Sequence, residues 1–362
     1  MNHEPLKNLL NQEFVHSVAR AVSDVSPQFQ AVAYISNVLD AQWESREFMD
    51  RIGHLAVSLR PALPGGYLEA LPIVVNASPA VDGIGHLLFP HFVQVFGLDH
   101  FEPSTQALAA MTSGSSSEFA VRPYILRYPQ EMMARMLTWA KDPNEHLRRL
   151  ASEGCRPRLP WGKALPAFKI DPAPILPILQ ELKADPSEYV RRSVANNLND
   201  ISKDHPDLVL DITRDWLGLS PDTDKLLKHA CRTLLKSGNQ EAMRLFGLQA
   251  PKGVSIEYLT IDPHPVTIGD KAQVSFLLKV KDTAQQLRVE YAVHYRKRSG
   301  GLFRKMFQIA DKTYGPGEHP VARTRPFHDM TTRKHHPGGH RLEVVVNGHV
   351  LAALEFELLA AK

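Results

Sequence analysis

The sequence predicts a mainly α-helical protein, in which a curved solenoid of repeated helix pairs precedes a small antiparallel β-sandwich. Three observations support this architecture. Over residues 1–250, apolar residues recur at a spacing of about 3.6, as on one face of a helix. Two of the helix starts in this region are near-copies of each other. From residue 251 the apolar pattern changes to the two-residue alternation of strands. We therefore expect a helical domain over 1–250 and a strand domain over 251–362.

The repeat consists of an Asp-Pro-x-Glu motif and the helix that follows it. Residues 142–145 precede HLRRLASEG, and residues 185–188, which begin 43 positions later, precede YVRRSVANN. A weaker copy begins at Ser220 and leads into LLKHACRTL. We expect Asp142, Asp185 and Ser220 to be N-caps, each followed by a proline at the first helical position. An amphipathic helix precedes each start, and helix pairs with a period of about 40 residues are typical of HEAT-like repeats.

The C-terminal part is rich in Val, Tyr, Phe and Ile, which favour strands. Asn347-Gly348 lies between two alternating runs and predicts a type I′ hairpin. Five to seven short strands in about 110 residues indicate an immunoglobulin-like sandwich. The alternating runs are VSIEYLTI, QVSFLLKV, LRVEYAVHYRKR, KMFQIADK and RLEVVVNGHVLAALEFEL.

The net charge of +3 is unevenly distributed along the chain. Residues 251–362 hold 17 Lys and Arg against 11 Asp and Glu, so this part carries +6 and the rest −3. Residues 291–341 alone hold 11 basic and 3 acidic side chains. Such a segment is either a solvated face or a contact for anions or nucleic acid. We expect it to be largely loops, in RKRSGGLFRK, in the stretch through ARTRPF and in TRKHHPGGH.

Composition excludes several classes of protein. An apolar fraction of 43% and a charged fraction of 22% are ordinary for a globular chain, and they exclude collagen, coiled-coil rods and a wholly disordered chain. No apolar run has the length of a membrane helix, and the first residues lack a signal-peptide pattern. Cys155 and Cys231 cannot form a disulfide framework, so we expect reduced thiols in a cytoplasmic protein.

A polar stripe recurs on the second helix of each repeat. Arg149 and Glu153 are four residues apart and share one helix face. Because equivalent positions on stacked helices form one surface, we predict a continuous charged stripe there. The equivalent residues are Arg192, Asn196 and Asp200 in the second repeat, and His229 and Thr233 in the third.

The segment GCRPRLPWGK after the first of these helices holds two Arg, one Lys and one Trp between prolines. We expect Gly154 to end the helix as its C′ residue. A Pro-framed loop that presents Trp161 beside guanidinium groups suits nucleic-acid contact, whereas the alternative is that Trp161 covers the apolar end of the repeat. Upstream, Glu118 follows three serines, so it either supports a helix start or takes part in a site.

Three segments, SSSEFAVRPYI, HLRRLASEGCRPRLPWG and SEYVRRSVANNLNDISKDHP, closely resemble the AlkC family of DNA alkylation-repair glycosylases, which are HEAT-like repeat proteins related to the AlkD family. One branch of that family carries a C-terminal immunoglobulin-like domain. The resemblance implies hydrolysis of the N-glycosidic bond of cationic N3-alkylated bases, such as 3-methyladenine and 3-methylcytosine, in duplex DNA and without base flipping. It also implies that Glu118, Glu153, Trp161 and Asp200 form the catalytic site.

Cationic residues of both domains are candidates for phosphate contacts, which carry little sequence information and suit a protein that scans for lesions. The loops around 296–305 and 333–340 are expected to grip the duplex on the side opposite the solenoid. We expect a monomer whose partner is alkylated duplex DNA, with no cofactor, no metal and no membrane contact. The candidates are Arg149, Arg156, Arg158, Arg191 and Arg192 in the helical domain, and Arg296, Lys297, Arg298, Arg304, Lys305, Arg333 and Lys334 in the sandwich.

Three alternatives stay open at this point. A scaffold that binds a protein partner would present an apolar or mixed groove, and a non-catalytic DNA-binding protein would keep the arginines without the carboxylates. A metal hydrolase would need histidine ligands, but nearby glycines and missing carboxylate partners favour solvated loop histidines instead. The histidines concerned are His335, His336 and His340, or His91 and His100.

Overall fold

The computed structural model describes residues 5–330 and 334–361. The chain divides into two compact units, of which one comprises Met1–Val209 with Trp216–Ala230 and the other Leu210–Asp215 with Cys231–Lys362. The second unit thus combines the strands with short helices that precede them, and the domain boundary at residue 250 stays a prediction. No helix in the described part is long and apolar enough to cross a membrane.

The helical part of the described chain contains sixteen α-helices. They are α1 Gln12–Val25, α2 Ala31–Val38, α3 Phe48–Ala62, α4 Tyr67–Ala77, α5 Leu88–Phe96, α6 Phe101–Met111, α7 Val121–Arg127, α8 Pro129–Trp139, α9 Glu145–Gly154, α10 Pro166–Ile170, α11 Leu176–Leu182, α12 Glu188–Ile201, α13 Pro206–Trp216, α14 Pro221–Ala230, α15 Arg232–Ser237 and α16 Gln240–Leu245.

The predicted order of helix pairs is confirmed for the three repeats. The pairs are α8 with α9, α11 with α12, and α13 with α14. α12 packs against both α9 and α14, so the second helices of successive repeats are neighbours. This arrangement is the reason why side chains from different repeats meet in one site.

The helix starts of the first two repeats lie two residues later than predicted. The N-caps are Asn144 and Ser187. The backbone N–H of Asn144 donates to Asp142 Oδ1, and that of Ser187 donates to Asp185 Oδ1, both at 2.8 Å. The two aspartates therefore form Asx turns before the helices, an alternative use of the same side chain. Ser220 is the cap in the third repeat as predicted, since its Oγ accepts the backbone N–H three residues later at 3.1 Å.

The prediction that His229 and Thr233 lie on one face of the same helix was wrong. α14 ends at Ala230, and Cys231 leaves the helical region with φ −82° and ψ 6°. Thr233 therefore belongs to α15. The break interrupts the polar stripe after His229.

Eight strands lie in the described residues of the second unit. Strands β1, β3 and β6 form one sheet, and β2, β8, β7, β4 and β5 form another, in that order. Apolar side chains of both sheets, including Phe276 and Val344, build one shared core, so the predicted sandwich is confirmed. All pairings are antiparallel except that of β2 with β8. The strands are β1 Val254–Asp262, β2 Val266–Thr267, β3 Lys271–Val280, β4 Gln285–Arg296, β5 Leu302–Tyr314, β6 Gly317–Pro326, β7 Gly338–Val346 and β8 His349–Leu359.

The cationic segment is mostly strand, which contradicts its prediction as loops. Arg304 and Lys305 lie on β5, and most of ARTRPF lies on β6. β6 escaped sequence reasoning because it is an edge strand that pairs with β3 and buries few of its side chains. The β7–β8 hairpin is as predicted, since Asn347 and Gly348 have the positive φ values, 47° and 79°, that a type I′ turn requires.

Several of the histidines predicted to be solvated are instead packed. His335 and His340 are buried, and their rings contact Tyr295 with centroids 5.2 Å and 6.1 Å away. His91 lies within α5 and is half-buried, and burial lowers its pKa. Among the described residues, no group of three or more His, Cys, Asp or Glu is arranged to hold a metal ion.

Gly154 is the last residue of α9, which corrects its prediction as the C′ residue beyond the helix. Cys155 is the C-cap, and Gly154 is buried. A Cβ atom at this position would lie 2.6 Å from Val121 Cγ2 and 2.9 Å from Met136 Cε. The glycine therefore permits a close approach of α9 to α7 and α8.

Substitution of Gly154 by Ala should destabilise the protein by about 1–3 kcal/mol, because overpacking costs more than the gain in helix propensity. The matched control is Gly53→Ala inside α3, where the nearest atom to a new Cβ is 3.4 Å away. That control should be neutral or stabilising by up to about 1 kcal/mol. Urea unfolding followed by helical circular dichroism measures both, and equal effects would contradict the packing argument.

Candidate active site

Three carboxylates and two arginines form one chain of alternating charges in the helical unit. Arg149 links Glu118 to Glu153, and Arg156 links Glu153 to Asp200. The residues of this chain of charges come from the turn before α7, helix α9, the loop after it and helix α12. The structure thus brings together three of the four residues implied to be catalytic, from positions far apart in the sequence.

Arg156 occupies the centre of this chain. Its Nη1 donates to Glu153 Oε1 at 2.5 Å, and its Nε donates to Asp200 Oδ2 at 3.0 Å. Arg156, Glu153 and Asp200 are 6%, 5% and 2% exposed. Burial opposes the charge of Arg156, but the two carboxylates outweigh it and raise the pKa of this guanidinium. Arg156 was a candidate for phosphate contact, and in this structure it is buried and engaged by carboxylates.

Glu118 and Arg149 form the more accessible end of the chain, with side chains 13% and 16% exposed. Ser116 Oγ lies 2.9 Å from both Glu118 Oε2 and Arg149 Nη1. The guanidinium of Arg149 also lies over the ring of Tyr189, 5.3 Å from its centroid. Arg149 is therefore held by two carboxylates, a hydroxyl and an aromatic face.

At the other end of this chain of charges, a lysine pairs with Asp200. Lys203 Nζ donates to Asp200 Oδ1 at 3.0 Å, so each oxygen of Asp200 accepts from one cation. Lys203 lies one turn further along and its side chain is 38% exposed. Asp200 is thereby fixed at the C-terminal end of α12.

Trp161 is presented to solvent by the loop between α9 and α10. It is 65% exposed and has a φ of +61°, a backbone conformation that is unfavourable for a bulky residue. The ring of Trp161 contacts the ring of Phe48, with centroids 6.3 Å apart. The alternative in which Trp161 covers the apolar end of the repeat does not fit this exposure. Strained residues of this kind concentrate at functional sites.

A fully buried arginine, Arg122, holds this loop in place. Its guanidinium donates to the backbone carbonyls of Lys163, Gly154 and Arg156, at 2.5, 2.8 and 2.9 Å. Burial lowers the pKa of Arg122 to about 10. Two of these carbonyls belong to the loop that carries Arg156 and Trp161, and the third belongs to the last residue of α9, so Arg122 fixes the loop at its start and beyond.

Sequence reasoning did not single out Arg122, Ser116, Ser193 or Tyr189 as parts of the site. Arg122 lies one turn beyond Glu118 in the sequence, a spacing that does not reveal its contacts with a segment some 30–40 residues away. A signal was present for Ser193, because a polar residue there occupies a position that is apolar in the other repeats.

The remaining helical candidates differ in how they are engaged. Arg158 pairs with Asp204 at 2.7 Å, and Arg191 donates to the carbonyls of Asp185 and Pro186. Arg192 is exposed on the same helix as Arg191. Arg191 is therefore engaged by backbone carbonyls, and Arg192 is the member of this adjacent pair that faces solvent.

The sandwich candidates lie around the β4–β5 hairpin. Arg296, Lys297 and Arg298 are exposed, as are Arg304 and Lys305 at the start of β5. Leu302 and Phe303 are also exposed there, at 49% and 51%. Arg304 additionally donates to the buried carboxylate of Glu343 at 3.1 Å. Lys334 is exposed, and Arg333 lies outside the described residues.

Comparisons with known proteins place this site in a family context. Residues 109–215 match the family described as DNA alkylation repair enzyme, and residues 255–360 match the C-terminal Ig-like domain of the uncharacterised protein YhaZ. The uncharacterized protein YhaZ of Bacillus subtilis (strain 168) is 42% identical over 354 residues, which is 98% of this chain and 99% of that protein.

A solved structure is also similar along nearly the whole chain. It is the Pseudomonas fluorescens alkylpurine DNA glycosylase AlkC bound to DNA containing an abasic site analog. The sequence identity is 38% and the TM-score 0.94, over 98% of this chain and 99% of that one. The matched family segment 109–215 contains all three carboxylates and Trp161.

Substitution of Arg156 by Met should destabilise the fold by about 3–5 kcal/mol, because it leaves two carboxylates buried without their shared cation. The matched control is Arg158→Met, which removes a half-exposed ion pair from the same loop and should cost less than about 1 kcal/mol. Denaturant unfolding of both variants at neutral pH measures the difference. Equal destabilisation by the two substitutions would show that the buried chain of charges is not what holds this region.

Proposed function

The chain belongs to the AlkC family of HEAT-like repeat DNA alkylation-repair glycosylases, and we propose that it hydrolyses the N-glycosidic bond of cationic N3-alkylated bases in duplex DNA. The substrates proposed are 3-methyladenine and 3-methylcytosine. One observation carries the proposal: three carboxylates linked by arginines lie in the same segment as a solvent-presented Trp161. The DNA-bound state of the similar glycosylase supports DNA as the partner. We propose that this DNA is duplex DNA in the cytoplasm of a bacterium.

The substrate supplies much of the driving force for this reaction. A base alkylated at N3 carries a positive charge, so it leaves as a neutral molecule and needs no general acid. The barrier lies in forming a sugar with oxocarbenium character, as in glycoside hydrolysis. The task of the protein is therefore to stabilise positive charge at the sugar and to orient a water molecule.

The fixed placement of the carboxylates suits this task, although Arg149, Arg156 and Lys203 balance their three negative charges. Three carboxylates are held by two arginines at distances that fix their positions, and Lys203 lies at the outer edge with a partly exposed side chain. Fixed negative groups in a partly buried site act on a developing cation more strongly than solvated ones. We assign this role to Glu118, Glu153 and Asp200 together, with Glu118 the most exposed of the three.

Trp161 supplies a complementary surface for the cationic lesion. A cation over an indole face gains about 0.5–2 kcal/mol, so this contact aids recognition and is not the main source of rate enhancement. Its exposure on a loop held by Arg122 supports contact with a base that stays within the bent duplex, without flipping into a pocket. We therefore propose a mechanism without base flipping.

We further propose that the enzyme is monofunctional and that water is its nucleophile. The amine closest to the carboxylates is Lys203, and its Nζ donates to Asp200 at 3.0 Å. A lysine nucleophile would need a free amine and would form a Schiff base with the sugar. The amine of Lys203 is instead engaged by a buried carboxylate.

The exposed cations of the β4–β5 hairpin are proposed to hold the DNA backbone. Arg296, Lys297 and Arg298 form an exposed run at the end of β4 and in the turn that follows. Contacts of this kind neutralise phosphates and release counterions without reading sequence. They suit an enzyme that must find one lesion in a long duplex.

The decisive experiment is release of free base from a duplex with one 3-methylcytosine or 3-methyladenine, without added metal, 2-oxoglutarate or other cofactor. We expect base release that leaves an intact abasic strand and no adduct after borohydride treatment. Strand cleavage with a trapped adduct would overturn the monofunctional assignment. Salt-sensitive binding without release would favour a non-catalytic DNA-binding protein, and neither binding nor release would favour a protein scaffold.

Glu153→Gln and Asp200→Asn should each slow excision by roughly 10²–10³-fold, because each removes a preorganised charge from the site. The matched control is Glu145→Gln, which changes an exposed glutamate at the start of the same helix α9 and should excise at the wild-type rate. Single-turnover rates at saturating enzyme provide the measurement. Wild-type rates in both site variants would refute their assignment.

The double substitution Lys297→Gln and Arg298→Gln should weaken binding to all duplexes alike. The slope of log K against log salt should become shallower by roughly 0.9 for each phosphate that the variant no longer neutralises. Lys281→Gln is the matched control, since Lys281 is an exposed cation of the same unit outside the 291–341 segment. Titrations between low and moderate salt compare the three proteins, and identical slopes would exclude this hairpin from the interface.

A further inference from the structure

Ser193 is a buried hydroxyl at a position where the repeat otherwise has an apolar side chain. It follows Arg192 on α12, and the residues at the same place in the first and third repeats are Leu150 and Ala230. Leu150 and Ala230 are 0% exposed and Ser193 is 3% exposed, so all three face the interior of the repeats. An interior position does not require a hydroxyl for packing, which indicates that the second repeat uses it for something else.

The hydroxyl of Ser193 is directed at the central carboxylate of the site. Its Oγ lies 2.7 Å from Glu153 Oε2 and 2.6 Å from Ser152 Oγ. Each serine has one hydroxyl proton, and the ionised carboxylate is the strongest acceptor present. The consistent arrangement is that Ser152 donates to Ser193 and Ser193 donates to Glu153.

This donor completes the set of contacts that orients Glu153. The terminal torsion of a glutamate is broad, so an arginine bound to one oxygen leaves the carboxylate plane poorly fixed. Arg156 holds Oε1 of Glu153, and Ser193 holds Oε2. With both oxygens occupied from different elements, the loop after α9 and the helix α12, the plane of the carboxylate is determined.

We propose that Ser193 is a positioning residue that orients the Glu153 carboxylate for the glycosylase reaction, an inference that rests on the proposed function. Ser193 is buried, so it acts through Glu153 and not through contact with DNA. Its removal leaves Oε2 of a buried carboxylate without a donor, which frees the carboxylate plane. The expected effect is on the chemical step, and not on DNA binding.

The test compares Ser193→Ala with Ser202→Ala in the full-length protein. Ser202 is an equally buried serine at the end of the same helix, and its Oγ donates only to a backbone carbonyl, at 2.9 Å. We expect S193A to lower the single-turnover rate of 3-methyladenine release about tenfold at pH 7, equivalent to about 1.4 kcal/mol. S202A should keep the wild-type rate.

A further readout separates positioning from a structural role. Binding to a duplex with an abasic-site analog should stay within about twofold of wild type, as expected for a group that acts only in the transition state.

The outcomes separate the inference from the function on which it rests. If the wild-type protein releases no base, the proposed function fails and the inference fails with it. If the wild type is active and S193A matches S202A in rate, only the inference fails. Weaker DNA binding and lower thermal stability in S193A that account for its lower rate would also overturn it, in favour of a purely structural serine.

Discussion

The shared pairing of Arg156 with Glu153 and Asp200 is the interaction on which the helical site depends. A buried charge must be paired, and each member of this trio would be strongly destabilising without the others. The three residues belong to α9, the following loop and α12, so their pairing fixes two repeats and the loop relative to each other. A buried ion trio is not in general more stable than apolar packing, so its presence is better explained by a requirement for ordered charge.

The same constraint explains why the loop after α9 is so strongly held. Arg122 brings a further buried cation to this region; its Nε and Nη1 donate to three backbone carbonyls, while its Nη2 has no hydrogen-bond partner among the described residues. A carboxylate partner would have neutralised the charge of Arg122. Because Arg122 donates to carbonyls instead, the nearby carboxylates pair with Arg149 and Arg156. The loop is therefore shaped by its own backbone, and the strained Trp161 is positioned through that backbone rather than through apolar packing.

Local sequence patterns predicted the elements whose stability is local. Helix pairs, their period and the Asn347-Gly348 turn follow from periodicity and turn chemistry, and all are present. The errors arose where local rules offer two solutions. An aspartate before a helix can cap it or form an Asx turn, as Asp142 does, and a polar edge strand such as β6 has no alternation to detect. His335 and His340 looked like loop residues because their aromatic neighbours Tyr295 and Phe356 come from distant strands.

The sequence indicated which residues form the site, but it did not indicate the ion pairs and hydrogen bonds among them. Glu118, Glu153, Asp200 and Trp161 came from resemblance to a family, whereas their partners depend on contacts between repeats. Arg156 illustrates the limit, because a cation in a loop suggests phosphate contact until its burial is known. Repeat proteins nevertheless provide an internal reference that single domains lack. Since equivalent positions should share an environment, a polar residue among apolar equivalents, as Ser193 is between Leu150 and Ala230, marks where the repeat departs from pure packing.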